Sequence, residues 1–369
     1  MMLAFSFLAV GTANSFVPLL STKRGGVCSS SIPSMCLSQA RSEAAARASR
    51  IVCIGDIHGQ WNESDERALR HLQPDLALFV GDYGNEDLRV TKRISELAAS
   101  SDFGVATVFG NHDAFYTASM NGRRRAPYDK TKSCHVTEQI KMLGPYDVSY
   151  KSFAFDSVGV SVVGGRAFSH GGPNWKHKRF YRDFIGVQGI EHSAKKMKDA
   201  VAASHHNTVL FLSHSGPFGL GDHPSDPCGK DWGDFPGGDY GDPDLREAIE
   251  KARKDGFRVP LTVFGHMHKQ LMGNNGNRTM IKTEQDGQSR GETVMVNAAV
   301  VPRHKVGSMT SESLHHFQVV EMGDHGSVDS VSETWITPTG VIAQSDVIYK
   351  AKLEVLVNGS INRKCMNVE

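Results

Sequence analysis

An aspartate and a histidine two residues apart, Asp56 and His58, close the stretch IVCIGDIHG at residues 51–59. On extended backbone, side chains two apart point the same way, so a carboxylate and an imidazole can reach one cation. Alone the pair says little, because strands often end in Gly-Asp for reasons of turn geometry. The design recurs, however. Gly81-Asp82, Gly110-Asn111-His112-Asp113, Ser213-His214 and Gly265-His266-Met267-His268 each follow an apolar run. Carboxylate, amide and neutral imidazole together suit Mn, Fe or Zn and need no thiolate. Two such divalent or trivalent ions about 3.5–4 Å apart, bridged by a carboxylate and a water, lower the pKa of that water, so hydroxide is available near neutral pH. For an isolated histidine a hydrogen-bonded structural role is the better reading. Nine polar or titratable side chains at successive strand exits are costly to explain that way.

These groups need a scaffold that delivers them to one place. Residues 51–54, 76–80, 105–109, 158–163, 208–212 and 261–264 are short apolar runs, rich in β-branched residues, and read as buried strands. Helical periodicity fills the intervals. One helix starts at Asn62 and turns Ala68, Leu69 and Leu72 inward; the next presents Val90, Ile94, Leu97 and Ala98. Shorter or later ones fall at 137–143 and 191–203, and one opens on Asp242-Pro243, a cap residue followed by the residue best suited to a first helical position. Residues 293–297 and 317–320 read as further strands. The first third of the core is β-α-β-α-β, and in such sheets the functional groups sit beyond the carboxyl ends of the strands, so the clusters should converge. Residues 218–243 are rich in Gly, Pro and Asp without periodicity, and a loop of that length is usually functional or disordered. Asp222, Asp226, Asp231 and Asp239 within it read as turn-formers.

Length and composition allow one domain of 50–345, preceded by a different kind of segment and followed by 346–369, a polar tail or edge strand. Residues 1–49 begin apolar and uncharged, then turn Ser-rich and basic with a single acid. They read as a targeting presequence in two parts, favouring a plastid, with a plain secretory signal as the alternative. Without them the charge balance is slightly acidic, which gives no basic surface for a specific nucleic-acid partner. No internal stretch is long and apolar enough to span a membrane. The cysteines show no C-x-x-C spacing, so neither a zinc knuckle nor a disulfide framework is indicated, and Cys53 reads as a small core residue. Nothing in the sequence sets an oligomeric state.

The motif set and its order resemble the calcineurin-like metallophosphoesterase family, over roughly residues 50–300. The resemblance implies an α/β/β/α four-layer sandwich, two mixed β-sheets flanked by helices. It implies that Asp56, His58 and His268 hold one metal, that Asn111, His214 and His266 hold the second, and that Asp82 bridges them. His112 is then the histidine that binds no metal, oriented by Asp113, and it stabilises transition-state charge or protonates the leaving oxygen. Residues 80–86 and 224–232 resemble signatures of a cyanobacterial and plastid branch for which the resemblance fixes no substrate. The protein Ser/Thr phosphatase branch differs: it has Asp-Arg-Gly after its second motif, where Asn85-Glu86 stand here, and Arg where Phe109 stands. The arginines that grip a phosphoryl group are thus absent, with Arg166 or Arg123 to Arg125 as possible substitutes. The expected activity is metal-dependent hydrolysis of a small-molecule or nucleotide phosphate mono- or diester by the metal-bridging hydroxide. A catalytically weak metal-binding scaffold and a protein phosphatase are the alternatives.

Overall fold

The computed structural model describes residues 48–234, 236–285, 291–307 and 311–352. Residues 1–47, which hold nearly all of the segment expected to be a presequence, and residues 353–369 lie outside them; β1 already starts at Ser49, inside the expected 1–49 bound.

Strands and helices alternate as the apolar pattern demands. β1 (Ser49–Ile54), β2 (Leu76–Phe79) and β3 (Gly104–Thr107) are linked by α1 (Glu63–His71) and α2 (Leu88–Ser100). Asn62 caps α1: its side chain accepts from the Ser64 amide at 2.8 Å, and its own amide donates to Asp65 at 2.9 Å. Asp87 caps α2 through the amides of Arg89 and Val90. A polar stretch follows with the short helix α3 (Met120–Arg124), then α4 (His135–Leu143). β4 (Ser152–Phe155) and β5 (Val160–Gly164) form a hairpin. After α5 (Lys178–Phe180) and a wide turn at Tyr181–Ile185, α6 (Ile190–Ala202) leads to β6 (Val209–Leu212), α7 (Pro243–Lys254) and β7 (Leu261–Phe264). β8 (Ile281–Gln285), β9 (Glu292–Asn297), β10 (His304–Val306), β11 (Ser313–Met322), β12 (Val328–Ile336) and β13 (Ile342–Lys350) complete the described chain.

Two mixed sheets result. One runs β13-β12-β11-β1-β2-β3, with β10 also on β11; the other runs β4-β5-β6-β7-β9-β8. The β1-β2-β3 and β5-β6-β7-β9 pairings are parallel and the outer pairings antiparallel. Side-chain alternation along the strands sorts the core into layers. Val52, Ile54, Ala77 and Phe79 pack beneath α1, α2 and α4. Their neighbours Ile51, Cys53, Leu76 and Leu78 meet Val160, Val162, Leu210 and Val263 of the facing sheet. Phe211, Val209 and Met295 turn outward under α6 and α7. This is the expected α/β/β/α sandwich. Because its central strands are apolar on both faces, polar ligand groups can stand only at their ends.

Three expectations need correction. Residues 346–350 belong to β13, an edge strand that crosses the expected boundary at 345, so the fold reaches Lys350. Asp242 occupies the cap position of α7, but its carboxylate makes no capping bond. It accepts instead from Ser169 Oγ at 2.9 Å and lies 3.5 Å from Arg166. Arg166 itself is buried, bonded to Asp244 at 2.5 and 2.9 Å and stacked 4.8 Å from Trp175, so it has no freedom to meet a phosphate. Two aspartates of the long loop serve its turns, Asp226 accepting from the His223 amide and Asp239 from the Gly241 amide, whereas Asp231 reaches out of the loop to the Met272 amide.

Candidate metal centre

The parallel strands of both sheets end on one side of the molecule, and their exits meet. β1 delivers Asp56 and His58, β2 Asp82, β3 Asn111 and His112, β6 His214, and β7 His266 and His268. Asp56, His58 and His268 place ligand-type atoms within 4.8 Å of one another; so do Asp82, His214 and His266, and so do His58, Asp82 and His112. His268 Nε2 is 3.2 Å from Asp56 Oδ2 and 3.2 Å from His58 Nε2. On the other flank His214 Nε2 lies 3.0 Å from Asn111 Oδ1 and 3.4 Å from Asp82 Oδ1. Asp82 stands between the two sets, its Oδ2 3.8 Å from His58 Nε2 and its Oδ1 toward His214. All seven residues expected to hold metal are therefore brought to one place.

The backbone at these exits is bent to do this. His58, Asp82 and His266 adopt φ of 44°, 52° and 70°. Non-glycine residues in that region cost on the order of 1–3 kcal/mol each and persist only where neighbours fix them. Here the amides of Ile57 and His58 donate to the Asp82 carbonyl at 3.0 and 2.7 Å. The His266 amide donates to the Asp56 carboxylate at 3.1 Å, and the His112 amide to Asp82 Oδ1 at 2.8 Å. Gly265 permits the approach: a Cβ there would stand 2.3 Å from Asp56 Oδ1.

Asp113 departs from its expected role. Its Oδ2 accepts from the amides of Gly110 at 2.7 Å and Asp82 at 3.0 Å, and its Oδ1 from the amide of Tyr83 at 2.8 Å. It ties the β2 exit to the β3 exit and does not touch the His112 ring. The reason is local: residues 111–114 form one tight helical turn, and adjacent side chains on a helix diverge. The group against His112 Nδ1 is Asn85 Oδ1, at 2.6 Å. Asn85 is held by its neighbour Glu86, whose amide donates to the His112 carbonyl at 3.1 Å and whose buried carboxylate is bonded to Tyr128. Sequence reasoning saw Asn85 only as a departure from a motif. The usable signal was its place three residues after Asp82.

Electrostatics favour cations here. Burial and the Asp56 carboxylate push Asp82 up to about 6, against the pull of His112 and His58. Burial opposes ionisation of Asp56 too, but the His268 hydrogen bond and the nearby imidazoles of His214 and His58 hold its carboxyl below the usual range. Burial depresses His214, and depresses His266 further with His214 adding to it. Burial also disfavours charge on His268, but its hydrogen bond to Asp56 and the charges of Asp56 and Asp82 raise its pKa. Two buried carboxylates thus gather here, with no lysine or arginine in salt-bridge distance of either among the described residues. Converging lone pairs on oxygen and nitrogen around uncompensated negative charge are what a Mn, Fe or Zn ion fits. A cavity of about 410 Å³ opens beside the cluster, lined by His58, Gly59, Gly84, Asn85, Asp87 and His112.

This fold, with metal-type ligands gathered at its strand ends, defines an α/β metal-dependent hydrolase class. The calcineurin-like phosphoesterase family model matches residues 49–270, and the chain belongs to that family. Its members hydrolyse phosphoesters, and the chain is a metallophosphoesterase. Structural likenesses are distant. TT1561 of Thermus thermophilus is 9% identical, with 82% of this chain and 100% of that one covered at a TM-score of 0.40. GAP50, the anchor in the inner membrane complex of Plasmodium, is 13% identical over 83% and 90%, at 0.37. A metallophosphoesterase from Sphaerobacter thermophilus is 13% identical over 74% and 84%, at 0.29. No curated protein matches the chain.

Proposed function

We propose that the protein is a binuclear metallophosphoesterase acting on a small-molecule phosphate mono- or diester. The observation that carries this reading is the placement of Asp82, whose two oxygens face different histidine sets. In this reading Asp56, His58 and His268 hold one ion, Asn111, His214 and His266 the other, and Asp82 serves both. Two bound ions would supply a nucleophile at neutral pH and neutralise charge on the phosphoryl group. The chain's own residues do the rest. His112 stands beside His58 at the cavity wall, with ring centroids 4.7 Å apart. Asn85 accepts the Nδ1 proton of His112, which leaves Nε2 to face the leaving oxygen. Burial, with His58 and His214, lowers the His112 pKa against the attraction of Asp82. With the Nδ1 proton committed to Asn85, Nε2 donates to the leaving oxygen only in the doubly protonated ring, a form that burial disfavours and Asp82 favours. Phe115 stacks on that ring at 5.3 Å and fixes its plane.

None of the six residues lining the cavity is cationic, which weighs against a phosphoprotein or polyanionic substrate and for a compact ester. Arg123 is bonded to the Thr117 carbonyl at 3.0 Å, and Arg166 is engaged with Asp244. A plastid location and the cyanobacterial and plastid branch remain part of the proposal and rest on the sequence of residues 1–49, 80–86 and 224–232 alone.

The test is a phosphomono- and diester panel with Mn²⁺. Turnover that His112→Ala abolishes without loss of metal supports the reading. A protein holding two ions without turnover on any ester would favour the scaffold alternative.

A further inference from the structure

His170 is a half-buried histidine beside the centre that the reaction above does not use. Its position follows from its neighbours. Ser169 bridges Gly110 in parallel, and the Phe168 amide donates to the Phe109 carbonyl at 2.8 Å. On the other side a Cβ on Gly171 would lie 2.9 Å from Ser215 Oγ and 3.4 Å from the His266 ring. His170 is therefore held between the exits that carry Asn111 and His266. His112, His214 and His266 are its electrostatic neighbours.

Its Nε2 is buried and has no hydrogen-bond partner among the described residues. Buried polar nitrogens are nearly always partnered, and an orphan at the edge of a site invites a ligand. Burial, then His177 at 4.5 Å and Lys176, hold the His170 pKa down to about 3. A neutral imidazole has one N–H to donate. A cation stands next to it: Lys176 Nζ donates to the His170 carbonyl at 3.4 Å and lies 5.2 Å from the Tyr240 ring. Lys176 is exposed and has no carboxylate in salt-bridge distance among the described residues. The loop that carries both is pinned, the Gly172 amide donating to the Tyr240 carbonyl at 2.7 Å. Arg166, the nearest alternative cation, is already paired with Asp244.

We propose that His170, assisted by Lys176, grips a phosphoryl oxygen of the substrate beside the ligands Asn111, His214 and His266. The inference rests on the phosphoesterase reading for the identity of its ligand. It supplies the phosphate-gripping groups that the motif arginines would otherwise provide.

Calorimetric titration of the Mn²⁺-loaded full chain with inorganic phosphate tests this without relying on turnover. Wild type binds phosphate, and His170→Ala weakens that binding by about tenfold or more with bound metal unchanged. His170→Gln, which keeps a donor, retains most of the affinity, and Lys176→Met loses a smaller part. Phosphate affinity in His170→Ala within about twofold of wild type overturns the proposal, as does a metal-loaded wild type that binds no phosphate. Should His170→Ala fail to hold metal, Lys176→Met decides: a fall in affinity supports the proposal and an unchanged affinity overturns it. Intact, His170-dependent phosphate binding with no ester turnover would instead defeat the esterase reading alone.

Discussion

Asn85 and Asp113 exchange the roles that their positions in the chain suggest. Asp113 directly follows His112, yet the tight turn at 111–114 sends its carboxylate inward to three backbone amides. Asn85 is far from His112 in sequence and touches its ring. Local order in a motif does not report which side chains face each other, and only the approach of the β2 and β3 exits does. The consequence is measurable. His112→Ala should lower kcat by about 10²–10⁴-fold, the usual span for a positioned acid or hydrogen-bond donor, with metal content unchanged. Asn85→Ala, which frees the ring to turn, should lower kcat by roughly tenfold or more, with a smaller change in KM from the loss of its place in the cavity wall. Asp113→Ala should differ in kind. It unties the loop carrying Asp82, so metal affinity and melting temperature should fall together.

Among the strands, the parallel ones buried on both faces were legible, whereas β4, β8, β10 and β12 were not anticipated. β1, β2, β3, β6 and β7 are apolar runs in the sequence and parallel, fully covered strands in the structure. α1, α2, α6 and α7 follow their apolar faces closely. β13 is largely exposed, and β4 is covered mainly at its end, so neither carries a hydrophobic signature. The ligand clusters were legible because a glycine, or Ser213 before His214, marks each exit, and the glycines give a test. A methyl group on Gly265 would meet Asp56 Oδ1 at 2.3 Å and Val80 Cγ2 at 2.7 Å; one on Gly110 would meet Asp82 Oδ1 at 2.2 Å and His214 Cε1 at 2.6 Å. Gly265→Ala should therefore displace Asp56 and Gly110→Ala should displace Asp82. Both should lose bound metal in elemental analysis, whereas Gly186→Ala, where a Cβ meets nothing within 4 Å, should keep it.

At the scale of the molecule, the antiparallel half of one sheet is fastened to the catalytic half through Asp65. This buried carboxylate on α1 accepts from Arg303, His304 and His315, each at 2.8 Å. Arg303 in turn donates to the Gln60 carbonyl at 3.2 Å, two residues beyond His58. Asp65→Asn leaves the buried Arg303 uncompensated and should cost about 3–5 kcal/mol in denaturant unfolding. Burial disfavours the charged form of Asp65, but Arg303, His304 and His315 outweigh it and hold the carboxyl well below the usual range. A depressed carboxyl contributes stability that is full above the unfolded pKa of about 4 and is lost as pH falls toward the folded one. Wild type should therefore lose stability below about pH 4 more steeply than Asp65→Asn does. The whole assembly brings strand ends of two sheets around Asp82, and the account stands on that residue serving two ions. The direct measurement is metal stoichiometry by elemental analysis of protein equilibrated with Mn²⁺, wild type beside Asp82→Ala. Two ions per wild-type chain and at most one weakly held ion in the variant is the expected result. Wild type holding fewer than two, or a variant that keeps two as tightly, would contradict it.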